Sequence, residues 1–369
     1  MERNNFTVQS RKSLINLKPF VPELPDLTKE ELKLRLGKEK IIKLSFNESP
    51  YGPFPSALER MKKVLQTSHL YHDATLKELR NKIAQVNGVE TDQVVVSNGA
   101  DEMILLLAQS FLEAGDEVII PVPTFGQYAA ASKLMGAKTV TVPLTNYKIN
   151  LELIRQNLNR ATKMIFLCNP NNPTGTFITE EELRKFLTEV PSGVLVVLDE
   201  AYYAYVDNLQ YTSGIKLLAE YPNVFVIRTF SKIYGLAALR VGYGIGSPVA
   251  VGEINRIRSP FNVNLVGQAA ALASLDDLEE LERIKELNRQ ERAYLHTELE
   301  KLGFHPIPSE TNFILVNIKK DSQKVFTQLA EDGIIIRPAD MFGLPNHLRI
   351  TIGNHEENYR LIQALMRLS

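Results

Sequence analysis

The residues with the clearest chemical potential lie between positions 223 and 246, in the segment NVFVIRTFSKIYGLAALRVGYGIG. Its apolar run, residues 224–227, is typical of a buried β-strand, and a polar turn with Thr229, Ser231 and Lys232 follows it. Desolvation at the end of such a strand disfavours the ammonium form of a lysine. The Lys232 amine is therefore predicted to act as a nucleophile toward a carbonyl group.

An anion site is predicted beside this lysine. Arg240 follows Lys232 by eight residues, and the hydroxyls of Thr229 and Ser231 lie in the same turn. A guanidinium with two hydroxyls suits an anion, most simply a phosphate. A Schiff-base lysine next to a phosphate site indicates pyridoxal 5′-phosphate (PLP) as the cofactor.

The elements that must position these residues follow an alternating pattern of strands and helices. Helical patterns at 100–112 and 179–188 separate apolar runs of the β type. These strand-like runs are residues 93–97, 117–120, 139–142, 163–167, 193–198 and 223–227. Continuous apolar strands alternating with helices predict an α/β fold whose large domain has a mostly parallel, helix-covered sheet.

The last third of the chain has a different pattern, typical of a smaller α+β domain. A charged helical stretch at 275–302 is followed by strand-like runs at 312–318, 333–336 and 348–352. We therefore predict three parts. They are an N-terminal arm (1–45) that joins the small domain or a partner subunit, a large PLP-binding domain (46–262) and a small C-terminal domain (263–369).

Composition excludes several other classes of function. The 369 residues carry a net charge of −1 and have a pI near 6.6, so nucleic acid and anionic membranes are not expected partners. The sequence contains no apolar run of membrane-spanning length and no secretory signal. One cysteine, Cys168, excludes an internal disulfide and a multi-cysteine zinc site. No metal is expected, and the cytoplasm is the predicted location.

A carboxylate follows the predicted strand at 193–198. In open α/β sheets, ligands lie at the carboxyl ends of the strands. Asp199 at such a position is costly to desolvate unless it is paired, and a protonated pyridine nitrogen would serve as its partner. The ordinary alternative is a helix N-cap. Three residues later, Tyr202 could donate a hydrogen bond to a ring oxygen of the cofactor.

The other strand ends supply further groups that the same cofactor needs. Ala100 and Asp101 begin a predicted helix whose N–H groups could bind an anion. Phe125 could stack on a flat ring, and Asn172, in the turn NPNNPTG, could hydrogen-bond a ring oxygen. Each of these residues alone could belong to an ordinary turn or to the core. Together they indicate one cofactor site.

These residues lie in motifs that are shared with a known family. The stretches are SFNESPYGP (45–53), GADE (99–102), NPNNPTG (169–175), LDEAYY (198–203), TFSKIYGLAALRVGYG (229–244), ETNFILV (310–316) and LRITIG (348–353). With them the chain resembles fold-type-I PLP enzymes of the aspartate aminotransferase superfamily, and within it the histidinol-phosphate aminotransferase branch. The resemblance runs from about Lys12 to the C-terminus.

The resemblance implies a role for each matching residue. Lys232 would bind the cofactor and shuttle the α-proton, Asp199 would pair with the pyridine nitrogen, and Phe125 would stack on the ring. Asn172 and Tyr202 would bind the ring 3′-oxygen. The phosphate ligands would be Ala100, Asp101, Thr229, Ser231 and Arg240, with Tyr71 reaching the phosphate of the partner subunit's cofactor. The substrate residues would be Arg349 for the glutamate α-carboxylate, Arg337 for the substrate phosphate, and Tyr51.

The implied enzyme interconverts histidinol phosphate plus 2-oxoglutarate and imidazole-acetol phosphate plus glutamate, in histidine biosynthesis, as a homodimer with shared active sites. An aromatic amino-acid aminotransferase and a PLP-dependent amino-acid-phosphate decarboxylase stay open as alternatives. A transcription regulator built on an aminotransferase-like domain is disfavoured, since 45 residues before the core leave too little room for a DNA-binding domain. A dinucleotide turn at 242–246 is also disfavoured, because the G-x-G-x-x-G spacing and a clear following helix are missing.

Overall fold

The computed structural model describes residues 9–15 and 17–368. Its N-terminal segment contains helix α1 (Lys29–Leu36) and the short strand β1 (Ile42–Lys43). Helix α1 begins after Thr28, whose hydroxyl accepts from the Glu31 N–H while the Glu31 carboxylate accepts from the Thr28 N–H. The helix ends at Gly37, which adopts a left-handed conformation with φ +63°. These two caps satisfy backbone groups that would otherwise lack partners.

Residues 55–276 form the large sheet and the helices that cover it. In chain order they are α2 (Pro55–Val64), α3 (Lys77–Asn87), β2 (Val94–Ser97), α4 (Gly99–Phe111), β3 (Glu117–Val122), α5 (Gln127–Leu134), β4 (Lys138–Pro143), α6 (Leu151–Gln156), β5 (Thr162–Cys168), α7 (Glu180–Glu189), β6 (Leu195–Asp199), β7 (Val224–Thr229), β8 (Gly242–Ile245), α8 (Pro248–Ile257) and α9 (Leu265–Asp276).

The large sheet has seven strands in the order β2-β8-β7-β6-β5-β3-β4. Strands β3 to β7 are mutually parallel, and β8 runs antiparallel to both of its neighbours. Strands β2, β7 and β8 are buried along their whole length, as is expected for a sheet covered on both faces. The predicted α/β class with a mostly parallel sheet is confirmed.

Strand β8 is the strand of the large sheet that the sequence pattern did not predict. Its glycines carry no side chains, so the run shows no alternation of apolar and polar residues. A Cβ on Gly244 would lie 2.4 Å from the Phe225 ring, so close packing against β7 requires glycine here. The expectation that no helix follows these glycines was also wrong, because α8 begins at Pro248.

The C-terminal part contains the smaller α+β unit. Its elements are α10 (Leu278–Lys301), β9 (His305–Pro306), β10 (Phe313–Asn317), α11 (Ser322–Glu331), β11 (Ile334–Ile335), β12 (Arg337–Pro338), β13 (His347–Thr351) and α12 (His355–Leu368). Strands β12-β13-β10-β9 form an antiparallel sheet, and β11 pairs in parallel with β1. The predicted second domain of mixed class is therefore present.

Two cores meet along helix α10. Ala270 and Ala271 of α9, together with Ile284 of α10, belong to the hydrophobic cluster of the large sheet. Leu295 and Leu299, farther along α10, belong to the cluster of the small sheet, which also contains Leu32 and Leu44. The N-terminal segment thus packs on the small unit. The bounds of the domains remain a prediction. Because α10 contributes side chains to both clusters, this packing favours a boundary within α10.

Among residues 9–15 and 17–368, no helix combines the length and the apolar character that crossing a bilayer requires.

Candidate active site

One pocket, at the carboxyl ends of the parallel strands, brings together twelve of the fourteen residues singled out in the sequence. The pocket has a volume of about 370 Å³. The twelve lining residues are Ala100, Asp101, Phe125, Asn172, Asp199, Tyr202, Thr229, Ser231, Lys232, Arg240, Arg337 and Arg349. Because they come from both parts of the molecule, the pocket lies at the junction of the large and small units.

Lys232 follows strand β7 and extends into the pocket. Its Nζ donates a hydrogen bond to the carbonyl oxygen of Phe46 at 3.2 Å and lies 5.7 Å from the centre of the Tyr202 ring. Burial, reinforced by the positive charge of Arg349, lowers the pKa of Lys232 to about 8. The uncharged fraction of this amine near neutral pH is therefore far larger than for an ordinary lysine, which favours its action as a nucleophile or proton acceptor.

Asp199 is the last residue of strand β6 and is almost fully buried. Its Oδ2 accepts from the Tyr128 hydroxyl at 2.6 Å, and its Oδ1 accepts from the Ala201 N–H at 3.1 Å. Burial raises the pKa of Asp199 to about 6. No lysine, arginine or histidine in the described part of the chain forms an ion pair with it. A cationic ring nitrogen in the pocket fits this carboxylate.

The N-terminus of α4 and the turn after β7 form an anion cradle. Arg240 donates from Nη2 to the Asp101 carboxylate at 3.0 Å and from Nη1 to the Ser231 hydroxyl at 3.4 Å. The Thr229 hydroxyl donates to Ser231 Oγ at 3.0 Å. A Cβ on Gly99 would lie 2.5 Å from Arg240 Nη2, so glycine lets the guanidinium lie against the helix N-terminus. These donors fit a phosphate group.

Tyr202 is oriented by Asn47, a residue that the sequence analysis quoted in a motif but gave no role. Asn47 Nδ2 donates to the Tyr202 hydroxyl oxygen at 3.0 Å. The Thr351 hydroxyl donates to Asn47 Oδ1 at 3.2 Å and accepts from the Asn47 N–H at 2.9 Å. Because the Tyr202 oxygen already accepts a hydrogen bond, its own proton is available to an acceptor in the pocket.

Arg337 and Arg349 lie directly opposite each other on strands β12 and β13. Arg349 donates from Nη1 to Asn172 Oδ1 and from Nη2 to the Ser45 carbonyl oxygen, both at 2.7 Å. Burial lowers the pKa of Arg349 to about 10. Within the described residues, Arg349 Nε is buried without a hydrogen-bond partner. Arg337 Nη2 is paired with Asp26 Oδ1 at 2.5 Å. The pocket therefore has two adjacent cations, one of them incompletely satisfied.

Two candidate residues lie outside this pocket. The Tyr71 side chain is 87% exposed, and its ring centre lies 4.8 Å from that of Phe261. Tyr51 is half-buried against the core of the large unit, and its ring centre lies 5.9 Å from the Arg283 guanidinium. Within one chain, the structure brings neither tyrosine to Lys232.

Tyr128 and Asp26 also line the pocket, and neither was predicted as a site residue. Tyr128 is fully buried and stacks on Phe166 at 4.7 Å while it holds Asp199. One signal in the sequence pointed to Tyr128, because it lies three residues after Phe125 in the segment that follows the predicted strand at 117–120. Asp26 lies in the N-terminal segment, 311 residues from its partner Arg337, and no local pattern marks it.

Comparisons with known proteins agree with this geometry. Residues 39–365 match the family described as aminotransferase class I and II. A histidinol-phosphate aminotransferase of Moorella thermoacetica is 40% identical over 97% of this chain and 92% of its own length. One of Caldicellulosiruptor saccharolyticus is 41% identical over 96% of this chain and 98% of its own length.

Solved structures show the same fold. A histidinol-phosphate aminotransferase of Sinorhizobium meliloti, crystallised with pyridoxal-5′-phosphate, superposes with a TM-score of 0.88. It is 28% identical to this chain, and the match covers 100% of this chain and 98% of the other. The resemblance found in the motifs is confirmed, and the chain belongs to the aminotransferase class I and II family.

Proposed function

We propose that this protein is a PLP-dependent aminotransferase that exchanges an amino group between histidinol phosphate and 2-oxoglutarate, a step of histidine biosynthesis. One observation carries the proposal: the pocket that holds Lys232 also holds the adjacent pair Arg337 and Arg349. A reactive amine next to two guanidinium groups suits an amino-group transfer on a phosphorylated substrate. The names of the two relatives, about 40% identical over nearly the whole chain, support it.

The residues of the pocket fit the cofactor group by group. Arg240, Ser231, Thr229 and the start of α4 would hold its phosphate, and Asp199 would face its ring nitrogen. Asn172 and Tyr202 would bind its ring oxygen, and Phe125 would lie against the ring. When bound, PLP supplies an electron sink that stabilises the negative charge developing at the substrate α-carbon.

Lys232 performs the proton transfers. The uncharged fraction of its Nζ is raised by burial, so the amine can remove a proton from the substrate α-carbon. Its stem extends from the end of β7, and its Nζ is fixed by the Phe46 carbonyl in the resting pocket. That single hydrogen bond can be exchanged for a substrate contact, which leaves the amine free to carry the proton.

Asp199 keeps a negative charge at the bottom of the pocket. The Tyr128 hydroxyl and the Ala201 N–H both donate to its carboxylate, which fixes its two oxygens. An opposite charge within about 4–6 Å typically shifts a pKa by about 1–3 units toward the charged form. Asp199 would therefore hold a proton on a ring nitrogen in front of it.

The arginine pair binds the anionic ends of both substrates. Arg349 has a buried Nε without a partner in the described part of the chain, and its planar fork suits the α-carboxylate of glutamate. Arg337, opposite it on β12, supplies a second charge for the phosphate of histidinol phosphate. Both substrates can thus place their anionic group at the same position.

The active enzyme in this proposal is a homodimer with shared sites. Tyr71 is exposed beside Phe261 and lies away from the anion cradle of its own chain. An exposed aromatic pair is typical of an interaction surface. Docking of a second copy would bury it and would let Tyr71 reach the cofactor phosphate of that copy.

We place the enzyme in the cytoplasm. Its one cysteine, Cys168, is buried beside the pocket, and its thiol donates to the Pro170 carbonyl oxygen at 3.3 Å. Burial raises the pKa of Cys168 to about 12, so the thiol is unreactive. A chain that uses no disulfide suits a reducing compartment.

The purified holoenzyme can be tested with histidinol phosphate, phenylalanine and O-phosphothreonine, each with 2-oxoglutarate, while glutamate and carbon dioxide are measured. We expect glutamate formation with the highest kcat/KM for histidinol phosphate and no carbon dioxide. A higher kcat/KM for phenylalanine would establish the aromatic aminotransferase instead. Carbon dioxide release from O-phosphothreonine would establish a decarboxylase.

A further inference from the structure

Asp26 occupies the guanidinium that the substrate phosphate needs. Its Oδ1 lies 2.5 Å from Arg337 Nη2, and the two side chains are only 7% and 6% exposed. Both residues line the pocket that contains Lys232. Arg337 is therefore neutralised by a residue of the chain itself before any substrate binds.

The backbone at Asp26 is held independently of this ion pair. The Asp26 N–H donates to the Glu23 carbonyl oxygen at 2.9 Å, and the Ser45 hydroxyl donates to the Pro25 carbonyl oxygen at 2.7 Å. The Asp26 carboxylate itself has one further partner, because its Oδ2 accepts from the Glu23 N–H at 2.9 Å. The side chain of Asp26 can therefore leave Arg337 at the cost of its hydrogen bond to the Glu23 N–H, while the other two bonds keep the backbone of the N-terminal segment in place. A second cleft of about 640 Å³ also has Asp26 in its wall and offers the freed carboxylate a polar environment.

The charges around the anion position can match two different substrates. Arg337, Arg349 and Asp26 together carry a charge of +1, which matches the single negative charge of a carboxylate. A phosphate monoester carries about −1.5 to −2 near pH 7. Without Asp26 the two arginines carry +2, which matches the phosphate. Unmatched buried charge is costly, so the position of Asp26 decides which anion is favoured.

We propose that Asp26 is a specificity-determining counterion that stays on Arg337 when a carboxylate binds and leaves it when a phosphate binds. The inference rests on the proposed function, since it explains how one site serves glutamate and histidinol phosphate in turn. It assigns Arg349 to both substrates and makes the contribution of Arg337 conditional on release of Asp26.

The test compares Asp26→Asn with the wild type, using two ligands that have the same ring and no amino group. Calorimetry of the holoenzyme gives the Kd of 3-phenylpropyl phosphate and that of 4-phenylbutanoate. The variant should bind the phosphate about tenfold more tightly, the low end for a charge-assisted hydrogen bond, while the Kd of the carboxylate changes much less. Equal tightening for both ligands, or no change for either, would overturn the proposal.

Three controls separate this role from a general charge effect. Asp26→Glu should keep the wild-type preference, because the carboxylate remains. Glu331→Gln removes a charge at an exposed position of α11, away from both pockets, and should leave both Kd values unchanged. Arg337→Met should weaken the phosphate more than the carboxylate, because in this proposal only the phosphate gains access to Arg337, and equal weakening of both ligands would contradict the pairing. Since neither ligand can react, these results are independent of whether the wild type turns over histidinol phosphate.

Discussion

Arg349 of the small unit donates a hydrogen bond to Asn172 of the large unit, from Nη1 to Oδ1 at 2.7 Å. Arg349 is the arginine assigned to the substrate anion, and Asn172 lies in the turn assigned to the cofactor ring. The guanidinium is therefore oriented by the same residue that would contact the cofactor. Its second nitrogen, Nη2, is held by the Ser45 carbonyl oxygen at 2.7 Å. Binding of substrate and position of the cofactor are thus coupled through one side chain.

Replacing Arg349 by Lys should weaken both substrates. Lysine keeps the charge but cannot form the planar fork that bonds Asn172, Ser45 and a substrate oxygen together. We expect kcat/KM for glutamate and for histidinol phosphate each to fall by about 10- to 150-fold, the equivalent of a charge-assisted hydrogen bond. Steady-state kinetics with both substrates measures this. A loss confined to one substrate would contradict a shared anion site.

Replacing Asp199 by Asn should lower turnover by orders of magnitude, because the charge facing the ring nitrogen is lost while the two hydrogen-bond partners remain. Cofactor content, measured by absorbance, should change far less than kcat. A variant with near-normal turnover would show that Asp199 serves only as a local cap.

The same substitution should stabilise the cofactor-free protein. Burial raises the pKa of Asp199 to about 6, so ionisation costs folding stability as the pH rises from about 4 to about 6. Above that range Asp199→Asn should gain up to about 3 kcal/mol in the free energy of unfolding. Urea unfolding of the two apoproteins at pH 8 measures it. At pH 4 the difference in the free energy of unfolding between the two apoproteins should disappear. A variant that is less stable than the wild type at pH 8 would contradict the account.

The rate at which apoprotein takes up PLP should follow the uncharged fraction of Lys232. Because burial lowers the pKa of this lysine to about 8, the rate should rise with pH and reach its midpoint near pH 8. Stopped-flow absorbance measures the rate across pH 6.5 to 10. Arg349→Met should move the midpoint upward, since a neighbouring positive charge is removed. A midpoint near the ordinary lysine value of about 10.4 would contradict the assignment.

Mixing two inactive variants should restore activity if sites are shared between subunits. Tyr71→Ala removes a group that would serve the partner's site, and Lys232→Ala removes the reacting amine of a chain's own site. Random exchange should produce up to about a quarter of full activity, because one of the four combinations of a site is intact. If subunit exchange is demonstrated by mass labels and no activity returns, the shared site is wrong.

The sequence predicted those parts of the site whose positions follow from local pattern. Lys232 and Asp199 each follow an apolar strand, and strand ends in a parallel sheet meet at one edge. The closeness of these two residues therefore follows from the pattern of strands alone. Strand β8 escaped prediction because its glycines leave no apolar and polar alternation, although close packing requires them, at Gly242 against the Gly99 backbone and at Gly244 against the Phe225 ring.

Contacts between distant segments could not be predicted in this way. Tyr128 and Asp199 are 71 residues apart, and the hydrogen bond between them depends on how α5 packs on the face of the sheet, against β3 and β4. Asp26 and Arg337 meet only because the N-terminal segment packs on the small unit. Such pairs arise from tertiary packing, which the periodicity of a single segment does not encode.

The central claim is that the pocket recognises a phosphate beside the reacting amine. Arg337→Ala should therefore lower kcat/KM for histidinol phosphate by about 10- to 150-fold and change that for phenylalanine much less. The measurement is the ratio of the two kcat/KM values in the wild type and in the variant. The account predicts a high ratio in the wild type that collapses in the variant. Equal losses for both substrates would contradict it.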